Sequence, residues 1–471
     1  MRKRIALAAL SAVFSSSAMA EDWSRFRGPN GSGVANATGL PTEFGAAKNL
    51  LWKAEVPFAR SSPVISGDRI YLTATEGEKL ITLALERKSG KVLWRHETPR
   101  ARAMALYKAN DGASPSPVTD GKSVYAFFPE LGLISLDAAG KERWRLPLGP
   151  FDSFYGLAGS PILSGDTVLL VCDARSKPFI VAVDAKSGKV RWRRERTEVR
   201  FEGYTTPVLY EPKGEPAQLV VLGANRVDSF AVSNGERVWW VGGLAFYPVG
   251  SPVIDAGKQL LIASTYGTDA PEGPTFDDFL KADANKDGKL SPDEMKPMQE
   301  LYEHFNGLDT NHDQLLERAE WDAWRNGAAG GKYGLVGIKL GGRGDLTEKA
   351  VLWNEKKTYP SMPTPILYGD ALYIVKTGGI IGSFKPATGE VMKVGRSEKA
   401  LGEYYSSPVA ADGKIYLANE SGAITVLKAQ PQWEVLAVND LNEECFATPA
   451  IAGNAIYIRT RNALYSFASK P

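Results

Sequence analysis

The chain has 471 residues, 44% hydrophobic and 23% charged, a composition typical of folded proteins and too apolar for a disordered chain. With 3 histidines and 2 cysteines, it can build neither a zinc cluster of His and Cys nor a disulfide framework. The net charge of +2 is too small and too dispersed for a nucleic-acid-binding surface.

The first residues have the three parts of an export signal. Basic residues at positions 2–4 precede an apolar run over 5–14 that is too short to span a bilayer. Positions 18–20, Ala-Met-Ala, match the small-x-small cleavage pattern. We therefore predict that residues 1–20 are removed. Position 21 is Glu rather than Cys, so no lipid anchor is expected, and no later stretch is apolar enough to span a membrane. The protein is predicted to be periplasmic or secreted.

A Ser/Thr-Pro pair recurs along the rest of the chain. Its hydroxyl residues are Ser62, Ser116, Ser160, Thr206, Ser251, Thr364, Ser407 and Thr448. The steps between them are 54, 44, 46, 45, 113, 43 and 41 residues, so all but one lie in a narrow band. Each pair is followed by short apolar runs separated by Gly turns. This period is typical of a four-stranded propeller blade. We predict an all-β, eight-bladed β-propeller.

A tryptophan marks the last strand of most blades. A Gly turn precedes it by four residues in the runs that end at Trp94, Trp144, Trp192 and Trp239. Lys393 stands in this place in the sixth blade, and the seventh offers Trp433 without the Gly turn. No such strand follows the last pair, whereas Trp52 precedes the first. After a lead segment over 21–49, a strand at Trp52 is therefore expected to complete the eighth blade and remove its open edge.

The Ser/Thr-Pro pairs, Gly turns and Trp strands resemble the repeats of the pyrroloquinoline-quinone-like (PQQ-like) β-propeller family. Asp137 and Asp184 stand at the aspartate position of those repeats. Residues 23–31 resemble the opening of its exported bacterial members. The family includes quinone-dependent alcohol dehydrogenases, which carry an adjacent Cys-Cys pair against the quinone, and a propeller that assists outer-membrane β-barrel assembly. Here Cys172 and Cys445 are 273 residues apart. PQQ is therefore not expected as a cofactor, and no catalytic residues are assigned.

The long step of 113 residues indicates an insertion in the fifth blade. We predict that residues 271–331 form it, between propeller parts 50–270 and 332–471. Residues 272–326 hold 14 Asp and Glu against 6 Lys and Arg. Two twelve-residue EF-hand loops account for this charge and predict calcium as the cofactor. The expected ligands are Asp283, Asn285, Asp287, Lys289 and Glu294 in the first loop, and Asp309, Asn311, Asp313, Leu315 and Glu320 in the second.

The two loops differ at position 6, where the sharp turn requires a positive φ. Gly288 suits that position, whereas Gln314 would be strained there. A first helix is expected around Phe276 and a last one through Trp321. Residues 295–308 are expected to form one helix shared by both loops. The insertion's apolar residues are expected to be the core of a small domain.

Residues just before the Ser/Thr-Pro pairs are expected to cluster at one mouth of the central channel. They are Arg60, Tyr155, Glu202, Tyr204, Tyr247, Tyr359, Glu403, Tyr404, Glu443 and Phe446. Aromatic residues with scattered charges suit recognition of a protein, peptide or carbohydrate. Two functions remain open. One is a monomeric, exported, calcium-binding interaction scaffold without enzymatic activity. The other is an enzyme, either a degenerate quinoprotein-type oxidoreductase or an unrecognised hydrolase.

Overall fold

The computed structural model describes residues 22–100, 106, 110–151, 153, 155–198, 201–256, 258–265, 273–311, 313–329, 331–360 and 362–469. The predicted export signal and residues 266–272 of the predicted insertion boundary lie outside the described residues. Within them, no helix is long and apolar enough to cross a bilayer. Cys172 and Cys445 are both buried free thiols.

The described residues form eight antiparallel sheets, each with four strands in the order a to d, and the a strands of neighbouring sheets contact each other around a central channel. The predicted eight-bladed β-propeller is confirmed.

In blade 1, strands a to d are Val64–Ser66, Arg69–Glu76, Lys79–Glu86 and Val92–Pro99, and in blade 2 they are Val118–Thr119, Ser123–Phe128, Gly132–Asp137 and Glu142–Pro147. In blade 3 they are Ile162–Ser164, Thr167–Cys172, Phe179–Asp184 and Val190–Glu195, and in blade 4 they are Val208–Tyr210, Gln218–Gly223, Arg226–Ala231 and Arg237–Gly242. In blade 5, strands a to d are Val253–Asp255, Gln259–Ser264, Gly334–Lys339 and Val351–Glu355, and in blade 6 they are Ile366–Tyr368, Ala371–Lys376, Ile380–Phe384 and Val391–Arg396. In blade 7 they are Val409–Ala411, Lys414–Ala418, Ala423–Lys428 and Glu434–Asp440, and in blade 8 they are Ala450–Ala452, Ala455–Arg459, Ala463–Ala468 and Leu50–Glu55. A short strand, Gly344–Asp345, pairs in parallel with strand d of blade 4.

Burial follows the position of each strand in its blade. Strand b of blade 3, Thr167–Cys172, is buried at every residue because the neighbouring blades cover both of its faces. Strand d of blade 2, Glu142–Pro147, alternates between partly buried and exposed residues, as expected for an outer strand with one face on the next blade. The apolar core therefore lies between the blades.

The Ser/Thr residues of the Ser/Thr-Pro pairs form a closed ring of hydrogen bonds around the channel. In each blade the backbone N–H of this residue donates to the side-chain hydroxyl of its counterpart in the next blade. The N–H of Ser62 donates to Ser116 Oγ at 2.9 Å, and that of Thr448 returns to Ser62 Oγ at 3.0 Å. The other six bonds measure 2.9–3.1 Å. A hydroxyl is therefore needed at this position in every blade.

The Gly turn before each Trp accommodates the tryptophan of the preceding blade. The Trp94 indole Nε1 donates to the Ala138 carbonyl at 2.9 Å, and a Cβ on Gly140 would lie 2.6 Å from the Trp94 ring. Trp144, Trp192 and Trp353 pack in the same way on the next blade. In blade 6, where Lys393 replaces the tryptophan, its ammonium lies 4.3 Å from the ring centroid of Trp433. Trp433 belongs to blade 7, so here the aromatic ring between the two blades comes from the following blade.

The amino-terminal strand closes the ring, as predicted. Leu50–Glu55 pairs antiparallel with Ala463–Ala468 of blade 8. Its Trp52 packs on Gly90 of blade 1 and donates Nε1 to the Arg87 carbonyl at 3.0 Å. The last interface therefore uses the same contact as those of Trp94, Trp144, Trp192 and Trp353.

The segment before this strand crosses the central channel. Arg27, which is fully buried, donates to the carbonyls of Pro365 and Pro408 in blades 6 and 7. Arg25 donates to the carbonyl of Pro207 in blade 4 at 2.7 Å. These prolines belong to the Ser/Thr-Pro pairs, so the segment lies directly beneath the hydroxyl ring. A 3₁₀ turn over Pro29–Gly31 ends the crossing, and a second such turn, Thr377–Gly379, lies in blade 6.

The insertion lies between strands b and c of blade 5, which remain paired from Gln259–Lys339 to Ser264–Gly334. Its helices are α1 (Phe276–Phe279), α2 (Pro292–Met295), α3 (Gln299–Glu303), α4 (Phe305–Leu308) and α5 (Arg318–Ala328), with a 3₁₀ turn over Leu280–Ala282. A buried apolar cluster joins them, as predicted; its residues are Phe276, Leu290, Met295, Phe305, Leu308, Leu316 and Trp321.

The prediction of one shared helix over 295–308 is wrong. The backbone leaves helical geometry at Met298, with φ −104° and ψ 69°, and at His304, with φ −100° and ψ 1°. Pro297 cannot donate the backbone hydrogen bond that would continue α2. Two short helices, α3 and α4, therefore replace one long one.

Candidate functional site

A cavity of about 950 Å³ occupies the mouth of the central channel. The floor of the cavity is formed by the hydroxyl ring, whose eight Ser and Thr residues all line it. Phe26 of the crossing segment also lines the cavity. The insertion forms its roof through Met298, Leu301, His304, Leu308, Trp321 and Trp324. The propeller and the insertion therefore enclose one common space.

One position in every blade supplies the wall of the cavity. This position is two residues before the Ser or Thr whose hydroxyl belongs to the ring. Side chains alternate along an extended chain, so the two side chains lie on the same face. These residues are Arg60, Ser114, Ala158, Tyr204, Val249, Met362, Tyr405 and Phe446. Sequence reasoning found only some of them because it selected by residue type. The alternation itself would have found them all.

Three tyrosines form an aromatic cluster on one side of the wall. The ring of Tyr155 makes T-shaped contacts with Tyr204 and Tyr247, at centroid distances of 5.7 and 6.1 Å. It also contacts His304 of the insertion at 6.4 Å. Burial raises the pKa of Tyr204 and of Tyr247 well above the usual value for a phenol. The cluster is therefore uncharged at neutral pH.

Arg60 is the positively charged residue of the predicted ligand face. Its Nη1 lies 3.4 Å from Asp111 Oδ2 and donates to the Asn110 carbonyl at 3.2 Å. Its guanidinium carbon lies 4.5 Å from the ring centroid of Phe446. The charge of Arg60 is therefore balanced by a carboxylate behind the wall.

Glu202 lies behind the tyrosine cluster rather than in the wall. It is 3% exposed and accepts hydrogen bonds from the Tyr204 hydroxyl at 2.7 Å and from Arg175 at 3.1 Å. Its oxygens also accept from Ser153 at 2.6 Å. The carboxylate therefore positions Tyr204.

Four other residues of the predicted ligand face are placed away from the cavity wall. Tyr359 contacts Tyr333, Glu403 accepts from Thr377 Oγ1, and Glu443 accepts from the Asn462 N–H. Tyr404 is buried in the core and donates to the Ala400 carbonyl at 2.6 Å, and burial raises its pKa to about 12. Its neighbour Tyr405 lines the cavity instead.

The first acidic loop is organised by its own side chains. Asp283 accepts from the N–H groups of Lys286 at 2.7 Å and Gly288 at 2.9 Å. Asn285 and Asp287 each accept from the N–H two residues later. Glu294 reaches back to the N–H of Ala284 at 2.9 Å. The carbonyl of Lys289 is the backbone ligand that calcium would use. The loop is closed on itself from its first residue to its last.

The second loop repeats this arrangement. Asp309 accepts from the Gln314 N–H at 3.0 Å, and Glu320 accepts from the Thr310 N–H at 2.7 Å. Asn311 and Asp313 accept from the N–H groups of Asp313 and of Leu315, the residue whose carbonyl corresponds to that of Lys289. Gln314 has φ +67°, close to the +80° of Gly288, so the left-handed turn forms even without glycine.

One buried oxygen of the second loop has no partner. Asp309 is 1% exposed, and its Oδ1 makes no hydrogen bond within the described structure. A buried carboxylate oxygen without a donor is costly and is satisfied by a cation. The oxygen donors of both loops fit a hard ion such as calcium. Among the described residues, however, no three His, Cys, Asp or Glu side chains already converge as a metal cluster.

The two loops are joined to each other. The N–H of Leu290 donates to the Leu316 carbonyl at 3.0 Å, and the N–H of Leu316 returns to the Leu290 carbonyl at 2.8 Å. Lys289 Nζ lies 2.5 Å from Glu317 Oε1, so this carboxylate is already paired with a cation. The two loops therefore contact each other through a pair of backbone hydrogen bonds and one ion pair.

Comparison with known proteins supports the same architecture. The sequence profile of the PQQ_2 family, described as outer membrane protein assembly factor BamB, matches residues 34–240 and, in an overlapping second match, 140–268. The structure of BamB from Moraxella catarrhalis superposes with a TM-score of 0.55 at 15% identity, over 89% of this chain and 99% of that one. A europium-containing methanol dehydrogenase gives 0.58 at 10% identity, over 95% and 98%. The chain is a PQQ-like β-propeller.

The curated relatives of this PQQ-like propeller are quinoprotein dehydrogenases. Polyvinylalcohol dehydrogenase of Sphingopyxis sp. (strain 113P3) is 26% identical over 47% of this chain and 32% of its own length. Quinohemoprotein alcohol dehydrogenase ADH IIB of Pseudomonas putida is 27% identical over 41% and 26%. The chain therefore matches about a third or less of the length of these relatives.

The cavity of this PQQ-like propeller is a poor fit for the quinone itself. PQQ is a tricarboxylate, so its site must supply positive charge. The described lining contains no Lys, and the guanidinium of Arg60 is already balanced by Asp111. It also contains no Asp or Glu that could hold a metal beside the quinone. The relatives' cofactor is therefore not matched by these residues.

Proposed function

We propose that this PQQ-like propeller is an exported, calcium-binding interaction scaffold without enzymatic activity. The observation that carries the proposal is the cavity at the channel mouth, because its roof is the same insertion that holds the two acidic loops. The proposed pocket and the proposed ion sites therefore share one element, the insertion, although their residues differ. The predicted export signal and the BamB-like neighbours support a role outside the cytoplasm.

Calcium is the proposed ion for residues 271–331. In each loop, carboxylate and amide oxygens stand at positions 1, 3, 5 and 12, and a backbone carbonyl stands at position 7. The ligands are those predicted from the sequence, from Asp283 to Glu294 and from Asp309 to Glu320. The unpartnered, buried Oδ1 of Asp309 supports this assignment for the second loop.

The proposed partner binds at the channel mouth of a monomeric propeller. Candidates are a protein segment, a peptide or a carbohydrate that reaches the wall formed by Arg60, Tyr155, Tyr204, Tyr247 and Phe446. The description of the BamB family as an assembly factor supports protein interaction. Nucleic acid is not proposed as a partner, because the lining residues that the structure describes include one arginine and no lysine.

Calorimetric titration of the full chain with calcium tests the proposal. We expect two ions per chain, one in Glu294→Gln or Glu320→Gln, and none in the double variant, since each change removes the bidentate ligand. Asp293→Asn is the matched control: its carboxylate lies beside Glu294 but is 84% exposed and faces Lys296. Absence of calcium binding at millimolar concentration would refute the proposal.

A quinoprotein-type oxidoreductase is the second candidate, and the names of the curated relatives support it. Adding PQQ with calcium and recording the visible spectrum and dye-linked alcohol oxidation tests this alternative. One quinone per chain with turnover would establish it. A hydrolase is less favoured because His96, the propeller's one histidine in the sequence, lies on strand d of blade 1, away from the cavity.

A further inference from the structure

We propose that the cavity binds one uncharged molecule with an aromatic or alicyclic body, and that calcium in the second loop tightens this binding. The inference rests on the proposed function and assigns the ligand class and the regulation of the same site. It is carried by two independent features: the chemistry of the lining, and the way the second loop is attached to the roof.

The lining favours an uncharged ligand of apolar character. Its described residues include no Asp, Glu or Lys, and the charge of Arg60 is already balanced. The Tyr155, Tyr204 and Tyr247 rings meet edge to face, an arrangement that also accepts a ligand ring. Removing an ionised ligand from water into such surroundings would cost binding energy that nothing here returns.

The same lining disfavours a carbohydrate. Sugar hydroxyls require several directed polar partners, and the eight ring hydroxyls already accept backbone hydrogen bonds. The amide of Asn110 donates to the carbonyls of Tyr155 and Gly156, so it is engaged in holding the wall. The ring hydroxyls can still donate their O–H groups, and Ser114, Gln299, His304 and the tyrosine hydroxyls add polar atoms, but most of the remaining described lining is aromatic or aliphatic.

The second loop holds the roof at both of its ends. Leu308, immediately before Asp309, lines the cavity, and so does Trp321, immediately after Glu320. Trp321 stacks on Trp324 with ring centroids 4.9 Å apart, and Trp324 lines the same cavity as Tyr247 of the wall. An ion that draws Asp309 and Glu320 together therefore fixes the positions of Leu308 and Trp321.

The first loop provides an internal contrast. The residues that flank it, Ala282 and Met295, belong to the core of the insertion and do not line the cavity. Its connections to the second loop are the Leu290–Leu316 backbone pair and the ion pair of Lys289 with Glu317, and neither involves a residue of the described cavity lining. Ion binding at the first loop should therefore affect the cavity less than ion binding at the second.

Fluorescence titration of the full chain with N-phenyl-1-naphthylamine, an uncharged aromatic probe, tests the inference. We expect one probe per chain, bound at least about fivefold more tightly with saturating calcium than with chelator. Glu320→Gln should abolish this difference, whereas Glu294→Gln and the control Asp293→Asn should retain it. Trp324→Ala should weaken probe binding in calcium without changing the calcium stoichiometry.

The charged analogue 8-anilino-1-naphthalenesulfonate tests the ligand class, because it has the same rings and an added sulfonate. We expect it to bind at least about tenfold more weakly. Equal binding of the two probes would overturn the assignment of an uncharged ligand. Equal probe affinity with and without calcium, while calorimetry still shows two bound ions, would overturn the coupling and leave the proposed function intact. Loss of calcium binding itself would instead refute the proposed function.

Discussion

Arg27 shows how one residue can join the segment before the first strand to two neighbouring blades. Its guanidinium is fully buried and donates to the carbonyls of Pro365 at 3.1 Å, Pro408 at 3.0 Å and Gly31 at 3.1 Å. Burial lowers the pKa of Arg27 to about 9, which still leaves the group protonated at neutral pH. The planar fork of arginine matches several carbonyls at once, and a lysine ammonium would not.

We predict that Arg27→Lys lowers the free energy of unfolding by about 2–4 kcal/mol, because buried carbonyls lose their donors. Denaturant unfolding measures the effect. Arg461→Lys is the control, since this arginine is 52% exposed and pairs with Glu444 at the surface; it should change stability by less than about 0.5 kcal/mol. Equal effects of the two changes would refute the bridging role of Arg27.

Position 6 of each acidic loop offers a reciprocal test. Gln314 has φ +67°, a conformation that costs an L-residue about 1–2 kcal/mol and costs glycine little. Gln314→Gly should therefore tighten calcium binding at the second loop, by about fivefold for 1 kcal/mol. Gly288→Ala should weaken the first loop, although its Cβ would meet nothing within 4 Å. Calorimetry that shows no change in either variant would contradict this explanation.

At the scale of elements, the blades could be predicted because each carries its own repeated signals. The hydroxyl ring, the Gly turn and the Trp strand recur in successive blades, so their spacing defines both the strands and the closing strand at Trp52. The apolar spacing of residues 295–308 suits one helix, so it does not predict the breaks at Met298 and His304. Pro297, which interrupts backbone hydrogen bonding, is the one signal in the sequence for the first of them. Local periodicity alone did not reveal that break.

We expect the insertion to be separable from its blade. Strands b and c of blade 5 pair along their full length on either side of the insertion. We predict that replacing residues 271–331 by a short Gly-Ser turn leaves a folded propeller that binds no calcium, because closing a short loop between two paired strands costs little free energy. Circular dichroism and thermal unfolding with and without chelator measure this. An unfolded product, or one still stabilised by calcium, would contradict the prediction.

At the scale of the molecule, the hydroxyl ring joins all blades into one closed circuit. Ser62→Ala would leave the buried N–H of Thr448 without its acceptor, at a cost of about 1–3 kcal/mol. Ser62→Thr should cost less, because threonine occupies the same place in three other blades. Denaturant midpoints of the two variants compare them directly. If both lose the same stability, the ring does not depend on the hydroxyl.

The candidate site could be predicted only where the propeller supplies it. Arg60, Tyr204 and Phe446 could be predicted because they are aromatic or charged residues that stand just before the repeated pairs. The sequence did not predict that Trp324 and His304 line the cavity, because their positions depend on how the insertion packs against the propeller. That orientation is set by contacts between distant segments, such as Tyr155 with His304, which leave no periodic signal in the sequence.

The central claim is that the propeller and the insertion act as one site. Hydrogen–deuterium exchange of the full chain with and without calcium tests it most directly, because it reports the local stability of each segment. We predict that calcium protects amides in both acidic loops and also in the wall around Tyr155, Tyr204 and Tyr247. Protection confined to residues 273–329, with the wall unchanged, would contradict the claim.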